Sequence, residues 1–313
     1  MITPRFLAAA AAAVTLSACT AAPASPGDPV SPAPGSAAGS PSPSGLSPAA
    51  YRTTLDSAGG PVDSALKDLS KAKTPKTLGD RLTRAETAVG DALTQLGPVQ
   101  PPADITTEHS DYLAALRGME TTLGDLRTGV EELSLCTATA VLARLGKSDD
   151  FAALKEAGID LASLGDYPGG KVSVKPPKEE NRRQANGKVL RSSIRGGRSK
   201  LIVKNGGGQD AVLTMMLGKR KAVTVYVRKK SRATVPNIKD GNYRVFFATG
   251  VDYDSKKRRF NRTCSFERFD DSVRFRTTFS GSTIRWSDWT LTLNKVTGGN
   301  APSSKVDPDD FPA

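Results

Sequence analysis

The sequence predicts an α+β multidomain protein, an N-terminal helical bundle followed by a C-terminal antiparallel β-sandwich. Three observations carry this expectation. Apolar residues recur at helical spacing as far as residue 164 and with period two beyond residue 185. Two stretches rich in Pro, Gly and small or polar residues, 19–47 and 165–184, interrupt the pattern where boundaries belong. The charge also changes sign: residues 50–165 hold 12 Lys/Arg against 17 Asp/Glu, and residues 166–313 hold 31 against 14. A net charge of +12 is therefore the property of one half, which speaks to partners more than to fold.

Residues 1–18 read as a lipoprotein signal peptide. Arg5 supplies a short positive region, and residues 6–15 form an apolar run too short to span a bilayer. Leu16, Ser17, Ala18 and Cys19 follow, and together they resemble the bacterial lipobox. That chemistry needs a thiol at the new N-terminus, so lipidation is assigned to Cys19, and two or more acyl chains suffice for stable anchoring. The expected location is the extracytoplasmic face of the cell membrane. No later stretch of about 18 or more apolar residues occurs.

Residues 20–47 are Ala, Pro, Ser and Gly with one charge, Asp28, and could bury no core. Extended at about 3.1 Å per residue, the segment reaches at most roughly 90 Å.

The bundle is expected over residues 48–164. Its clearest seam is Leu116, Met119, Leu123, Leu126, Val130 and Leu133, in steps of 3, 4, 3, 4, 3. Leu78, Leu82, Ala85, Val89, Leu93 and Leu96 mark a second helix, stopped by Gly97 and Pro98. Leu55, Val62, Leu66 and Leu69 mark a first, stopped before Pro75. Short connections favour antiparallel neighbours, so a three-helix bundle is expected, with shorter helices near 137–145 and 149–164.

Beyond the second linker, residues 201–203, 211–217, 223–227, 243–248, 273–279 and 289–293 read as strands. Gly206, Gly207 and Gly208 read as a hairpin turn, because no Lys-Ser/Thr of a phosphate loop follows them.

One run resembles a known kind of domain: Val225, Tyr226 and Val227; Thr234 to Ile238; Asp240, Gly241, Asn242 and Tyr243; Gly250 to Asp254; Arg259 and Phe260. It looks like the β-sandwich of uncharacterised actinobacterial envelope lipoproteins, and its Ile238-x-x-Gly-x-Tyr243 turn is similar to transthyretin-like modules. The resemblance covers the last 120 residues or so. It implies fold and location, and brings no catalytic residues.

Enzyme chemistry is thinly supplied. The single histidine, His109, rules out a His cluster for metal, and it reads as a solvated or first-turn polar residue. Asp252, Asp254, Asp270 and Asp271 could serve an envelope hydrolase, the alternative function, but read better as turn residues. No cofactor or metal is implied. With Cys19 lipidated, Cys136 and Cys264 either pair in a disulfide, which the compartment permits, or stay as buried thiols.

Three basic clusters stand out: Lys219, Arg220 and Lys221; Arg228, Lys229, Lys230 and Arg232; Lys256, Lys257, Arg258 and Arg259. The first two flank one expected strand and so would lie at its opposite ends. The expected function is a binding or scaffolding module at the cell envelope. Its partners would be the membrane, through the lipid, and an anionic envelope polymer, lipid headgroups or an acidic protein. Nucleic acid is not expected, because export removes the usual target and no stacking motif appears.

Overall fold

The computed structural model describes residues 45–293 and 302–312. The expected signal peptide, Cys19 and the expected linker as far as residue 44 lie outside the described residues, as do residues 294–301 and 313.

The helices are α1 (Pro48–Asp68), α2 (Pro75–Leu96), α3 (Thr106–Glu131), α4 (Ala138–Leu145) and α5 (Asp149–Gly165). Local chemistry starts four of them. Ser47, Thr74, Thr137 and Ser148 accept the N–H groups of Ala50, Thr77, Ala140 and Phe151 at 3.1–3.3 Å. Pro48 and Pro75 occupy first-turn positions, where a missing N–H costs nothing.

α1 packs on α2, α2 on α3, and α3 on α5. The expected three-helix bundle is thus corrected. Phe151, Leu154, Ala157 and Leu161 give α5 a buried stripe, and it becomes a fourth wall. Between α5 and α1 runs the 3-10 turn Pro168–Gly170. Two glycines admit it. A Cβ on Gly59 would stand 2.0 Å from the Gly169 carbonyl oxygen, and one on Gly158 2.2 Å from that of Gly170. Tyr167 and Val174 enter the same core, and Asp63 accepts the Ser173 N–H at 2.8 Å. The segment expected as a linker is therefore laid against the helices.

The α3 seam is buried from Leu116 to Val130. Its last expected member, Leu133, lies past the helix with φ +57°, and turns the chain towards the strands.

The strands are β1 (Val189–Ser192), β2 (Arg195–Asn205), β3 (Asp210–Leu217), β4 (Arg220–Val227), β5 (Ser231–Ile238), β6 (Gly241–Asp254), β7 (Arg259–Phe269), β8 (Val273–Phe275), β9 (Thr277–Ser280), β10 (Thr283–Trp286), β11 (Trp289–Thr292) and β12 (Ser303–Lys305). One sheet runs β1-β4-β3-β6-β7-β12, with β8 also on β6. A smaller one runs β11-β2-β5. Pairing is antiparallel except between β11 and β2. The two sheets enclose a core of Leu213, Met215, Val223, Val225, Val245 and Phe247 against Leu201, Val203, Val235 and Leu291. Each such side chain, fully buried, contributes roughly 1.5–3 kcal/mol.

Two local expectations are corrected. Gly206, Gly207 and Gly208 do not close a hairpin, since β2 and β3 belong to different sheets and the turn arches between them. Asn205 holds that arch: its Oδ1 accepts the Gly207 N–H at 3.1 Å, and its Nδ2 donates to the Gln209 carbonyl at 2.8 Å. Residues 273–279 are not one strand either. The chain breaks at Arg276, whose N–H is taken by Ser287 Oγ at 2.9 Å, and a separate ribbon of β9 and β10 begins.

The outer face of the larger sheet carries a second cluster of Val212, Tyr226, Ala248, Tyr253 and Phe260. The helical half meets the sandwich beside it. Residues 133–136 run along the free edge of β7. The N–H groups of Cys136, Thr263 and Cys264 donate to the carbonyls of Asn261, Ser134 and Leu133 at 2.9, 3.0 and 2.8 Å. Cys136 and Cys264 are joined there in a disulfide, with Cα atoms 6.3 Å apart.

The bridge spans 128 residues of sequence. Closing a loop of that size is worth about 5 kcal/mol in the chain-entropy limit. Cys136→Ser with Cys264→Ser should therefore lower the urea midpoint substantially, with folded far-UV dichroism retained. In the denatured, unreduced wild type, neither thiol should take up a maleimide.

Candidate functional site

The hairpin joining β6 to β7 reaches across to the helical half. Asp254 shapes its turn by accepting the N–H groups of Lys256 and Lys257 at 2.9 and 3.1 Å, the capping role expected of it. Lys257 Nζ donates to Thr139 Oγ1 of α4 at 2.6 Å, and Arg259 Nη1 to the Lys73 carbonyl at 2.5 Å. Lys257, although exposed, and the half-buried Arg259 are therefore tied to the helical half, while Lys256 and Arg258 stand exposed at the turn.

Between this hairpin and residues 70–74 lies an open cleft of about 580 Å³. Lys71, Lys73, Lys257 and Arg259 line it, and none of its lining residues is a carboxylate. Asp68 touches the set from outside, pairing with Lys71 at 2.5 Å. Arg259 Nε is buried with no hydrogen-bond partner. Thr74 and Thr137, the caps of α2 and α4, also line the cleft, so the N-termini of two helices border it. A narrower cleft of about 110 Å³, lined by Phe260, Phe266 and Phe311 but also by Arg258 and Asp309, adjoins it, and Thr74, Cys136 and Arg259 are common to both.

The other clusters go elsewhere. Lys219 in the turn before β4 and Arg220 at its first position are exposed. Lys221 is half-buried, and burial, with the charges of Arg191 and Arg258, pushes its ammonium below the usual range. Arg228, Lys229, Lys230 and Arg232 lie beyond the other end of β4, as its strand length required. There Arg228 Nε donates to the Gln184 carbonyl at 2.9 Å and Lys230 Nζ to that of Gly206 at 2.6 Å. The first and third clusters approach each other through Lys221 and Arg258, which line one small cleft, and the second stands apart.

Sequence reasoning passed over the two arginines of the presumed linker. Arg182 grips Asp252 at 2.8 and 3.0 Å, and Arg183 grips Asp210 at 2.6 Å through two nitrogens. Asn261 Nδ2 donates to Asp252 at 2.6 Å, and Thr137 Oγ1 to Asn261 Oδ1 at 2.5 Å, which carries the network to the start of α4. Burial alone would raise the Asp252 carboxyl, but the hydrogen bonds from Arg182 and Asn261 outweigh it and hold it low. Burial likewise works to raise Asp210. Hydrogen bonds from Arg183, Tyr226 and the Lys229 N–H hold it down to about 2. Carboxylates committed to arginine in this way serve structure first. Asp270 accepts from Ser304 Oγ at 2.6 Å, away from this network.

His109 is buried, not solvated. Its Nδ1 lies 2.9 Å from the Tyr51 hydroxyl within the helical core, and burial pushes its pKa down against the opposing Leu96 carbonyl. No group of three or more His, Cys, Asp or Glu among the described residues could hold a metal ion, and no described helix is long and apolar enough to cross a membrane.

Comparison of the chain with protein families, curated proteins and solved structures finds no match.

Asp210 provides a pH test. Its folded pKa lies below the ordinary 3.8, so its stabilising contribution is complete above that value and is lost as pH falls through about 2. Asp210→Asn should lower the urea midpoint at neutral pH and flatten the loss of stability between about pH 4 and pH 2, followed by tryptophan fluorescence.

Proposed function

We propose that this protein is a lipid-anchored extracytoplasmic module that binds an anionic, phosphate-bearing polymer of the cell envelope in the cleft between its helical half and its sandwich. The observation that carries the reading is the cleft's composition: four cations and no carboxylate around about 580 Å³. An open groove of that kind suits a chain of repeated anionic groups better than one small, enclosed substrate. The excess of 31 Lys/Arg over 14 Asp/Glu in residues 166–313 extends the same field outward. Kinship with actinobacterial envelope lipoproteins, and anchoring through Cys19 on the outer face of the membrane, belong to this proposal. They rest on the residues of the lipobox and of the sandwich run.

The anchoring is tested by cell fractionation. Cys19→Ala should leave the membrane fraction or accumulate with its leader uncleaved. A mature-sized variant that still sediments with membranes would overturn the assignment.

The cleft is tested by titrating poly(glycerol phosphate) calorimetrically at low and high salt. Each cation near an anionic surface contributes about 1 kcal/mol, so Lys73→Glu with Lys257→Glu should weaken binding at least roughly tenfold. The exposed pair Lys219→Glu with Arg220→Glu should weaken it less. Equal loss from both pairs, or affinity indifferent to salt, would remove the cleft as the site.

A further inference from the structure

The ribbon of β9 and β10 stands apart from both sheets, and its two strands pair only with each other. Its base is held firmly. Asp240 accepts the Thr277 N–H at 2.6 Å and the Thr277 hydroxyl at 3.0 Å. Trp289 Nε1 donates to the Arg274 carbonyl at 2.8 Å. Thr277 lies opposite Trp286, and Phe279 opposite Ile284. Alternation along each strand therefore puts Phe279, Ile284 and Trp286 on one face, and Thr278, Ser280, Thr283 and Arg285 on the other. Phe279 is 71% exposed, Trp286 49% and Trp289 36%. A two-stranded ribbon with one aromatic face is marginal on its own, and nothing among the described residues covers that face.

The chemistry around it selects an occupant. Residues 272–287 hold Arg274, Arg276 and Arg285 and no carboxylate. An exposed tryptophan with three arginines close in sequence suits the boundary between headgroups and acyl chains: the ring sits at that depth while guanidinium groups reach phosphate. An acidic protein would match the charge but not the protruding apolar tip. A second copy of this chain would oppose arginine to arginine.

We infer that the β9–β10 ribbon docks on an anionic lipid bilayer, inserting Phe279, Ile284 and Trp286 at the interface and placing Arg274, Arg276 and Arg285 among the headgroups. This contact needs neither the cleft nor the lipid on Cys19, so its failure and theirs can be told apart.

Trp286 on the ribbon and Trp289, whose Nε1 bonds the Arg274 carbonyl at its base, are the only tryptophans, so their emission reports on the ribbon and its base. The test uses the chain from Thr20 onward, which keeps every described residue and carries no lipid. On addition of phosphatidylglycerol vesicles the emission should shift to the blue and be quenched by brominated acyl chains. Phosphatidylcholine vesicles should bind at least roughly tenfold more weakly. Phe279→Ser with Trp286→Ser, both at exposed positions, should abolish sedimentation with the vesicles while near-UV dichroism shows the fold intact. Lys73→Glu with Lys257→Glu should leave the emission shift in place. Emission unmoved by anionic vesicles, undiminished sedimentation of the ribbon variant, a shift produced only by wall polymer, or a dimer that buries the tryptophans without lipid would each overturn the inference.

Discussion

The pairing of residues 133–136 with the edge of β7 is the contact on which the arrangement of the whole molecule rests. An open edge of a sheet presents unpaired N–H and C=O groups, and something must cover them. β12 covers one end of this edge and the segment after α3 covers the other. The strand adapts to receive it. Gly250 sits at a bulge between β6 and β7, and Asp252 and Thr263 take positive φ values of 59° and 51°. Those turns aim the Thr263 N–H outward at Ser134 and the Asp252 carboxylate inward at Arg182. The disulfide then fixes a registry that backbone hydrogen bonds alone could exchange for water. The two halves keep separate cores, yet the described residues belong to one compact unit.

The cleft is a consequence of that docking. Its lysines 71 and 73 belong to the half whose charge balance is negative, and Lys257 and Arg259 to the half whose balance is positive. A count by halves therefore hides the site, because it forms only when the β6–β7 hairpin is brought against the start of α2. Asp68 pairs with Lys71 from outside the cleft, while Asp210 and Asp252 are committed to arginines and Glu179 to Lys147 and Arg262. Positive charge is left where the helix dipoles already favour anions.

Much of the fold was legible because it depends on local rules. The buried seam of α3, the threonine cap and proline at the start of α2, and the alternation in β4 each follow from a few adjacent residues. What escaped depends on remote partners. Gly206, Gly207 and Gly208 look the same in a hairpin as in an arch between sheets, and only the pairing of β2 with β5 decides. Residues 273–279 keep strand alternation across Arg276, although Ser287 and Asp240 divide the strand there. Arg182 and Arg183 read as linker polarity because their carboxylates lie 70 and 27 residues away in sequence. His109 does lie in the first turn of α3, but its burial is not legible, because its partner Tyr51 is 58 residues distant.

The ribbon and the cleft differ in what they ask of a tether. Thr20 to Ser47 is 28 residues, which as the expected extended linker reaches at most roughly 90 Å. On the proposed anchoring, that span confines the folded part to a thin layer above the lipid, where the effective concentration of bilayer surface is about millimolar or higher. A small aromatic insertion that would be negligible in free solution then suffices to orient the molecule, because the anchor has already met most of the translational cost. On the proposed function, the cleft gains nothing comparable from the lipid, since an envelope polymer would reach it from the wall side. On these proposals, orientation by the ribbon and capture by the cleft act in sequence, and the disulfide-pinned junction, which fixes the cleft against the sandwich that carries the ribbon, lets the first set the direction of the second.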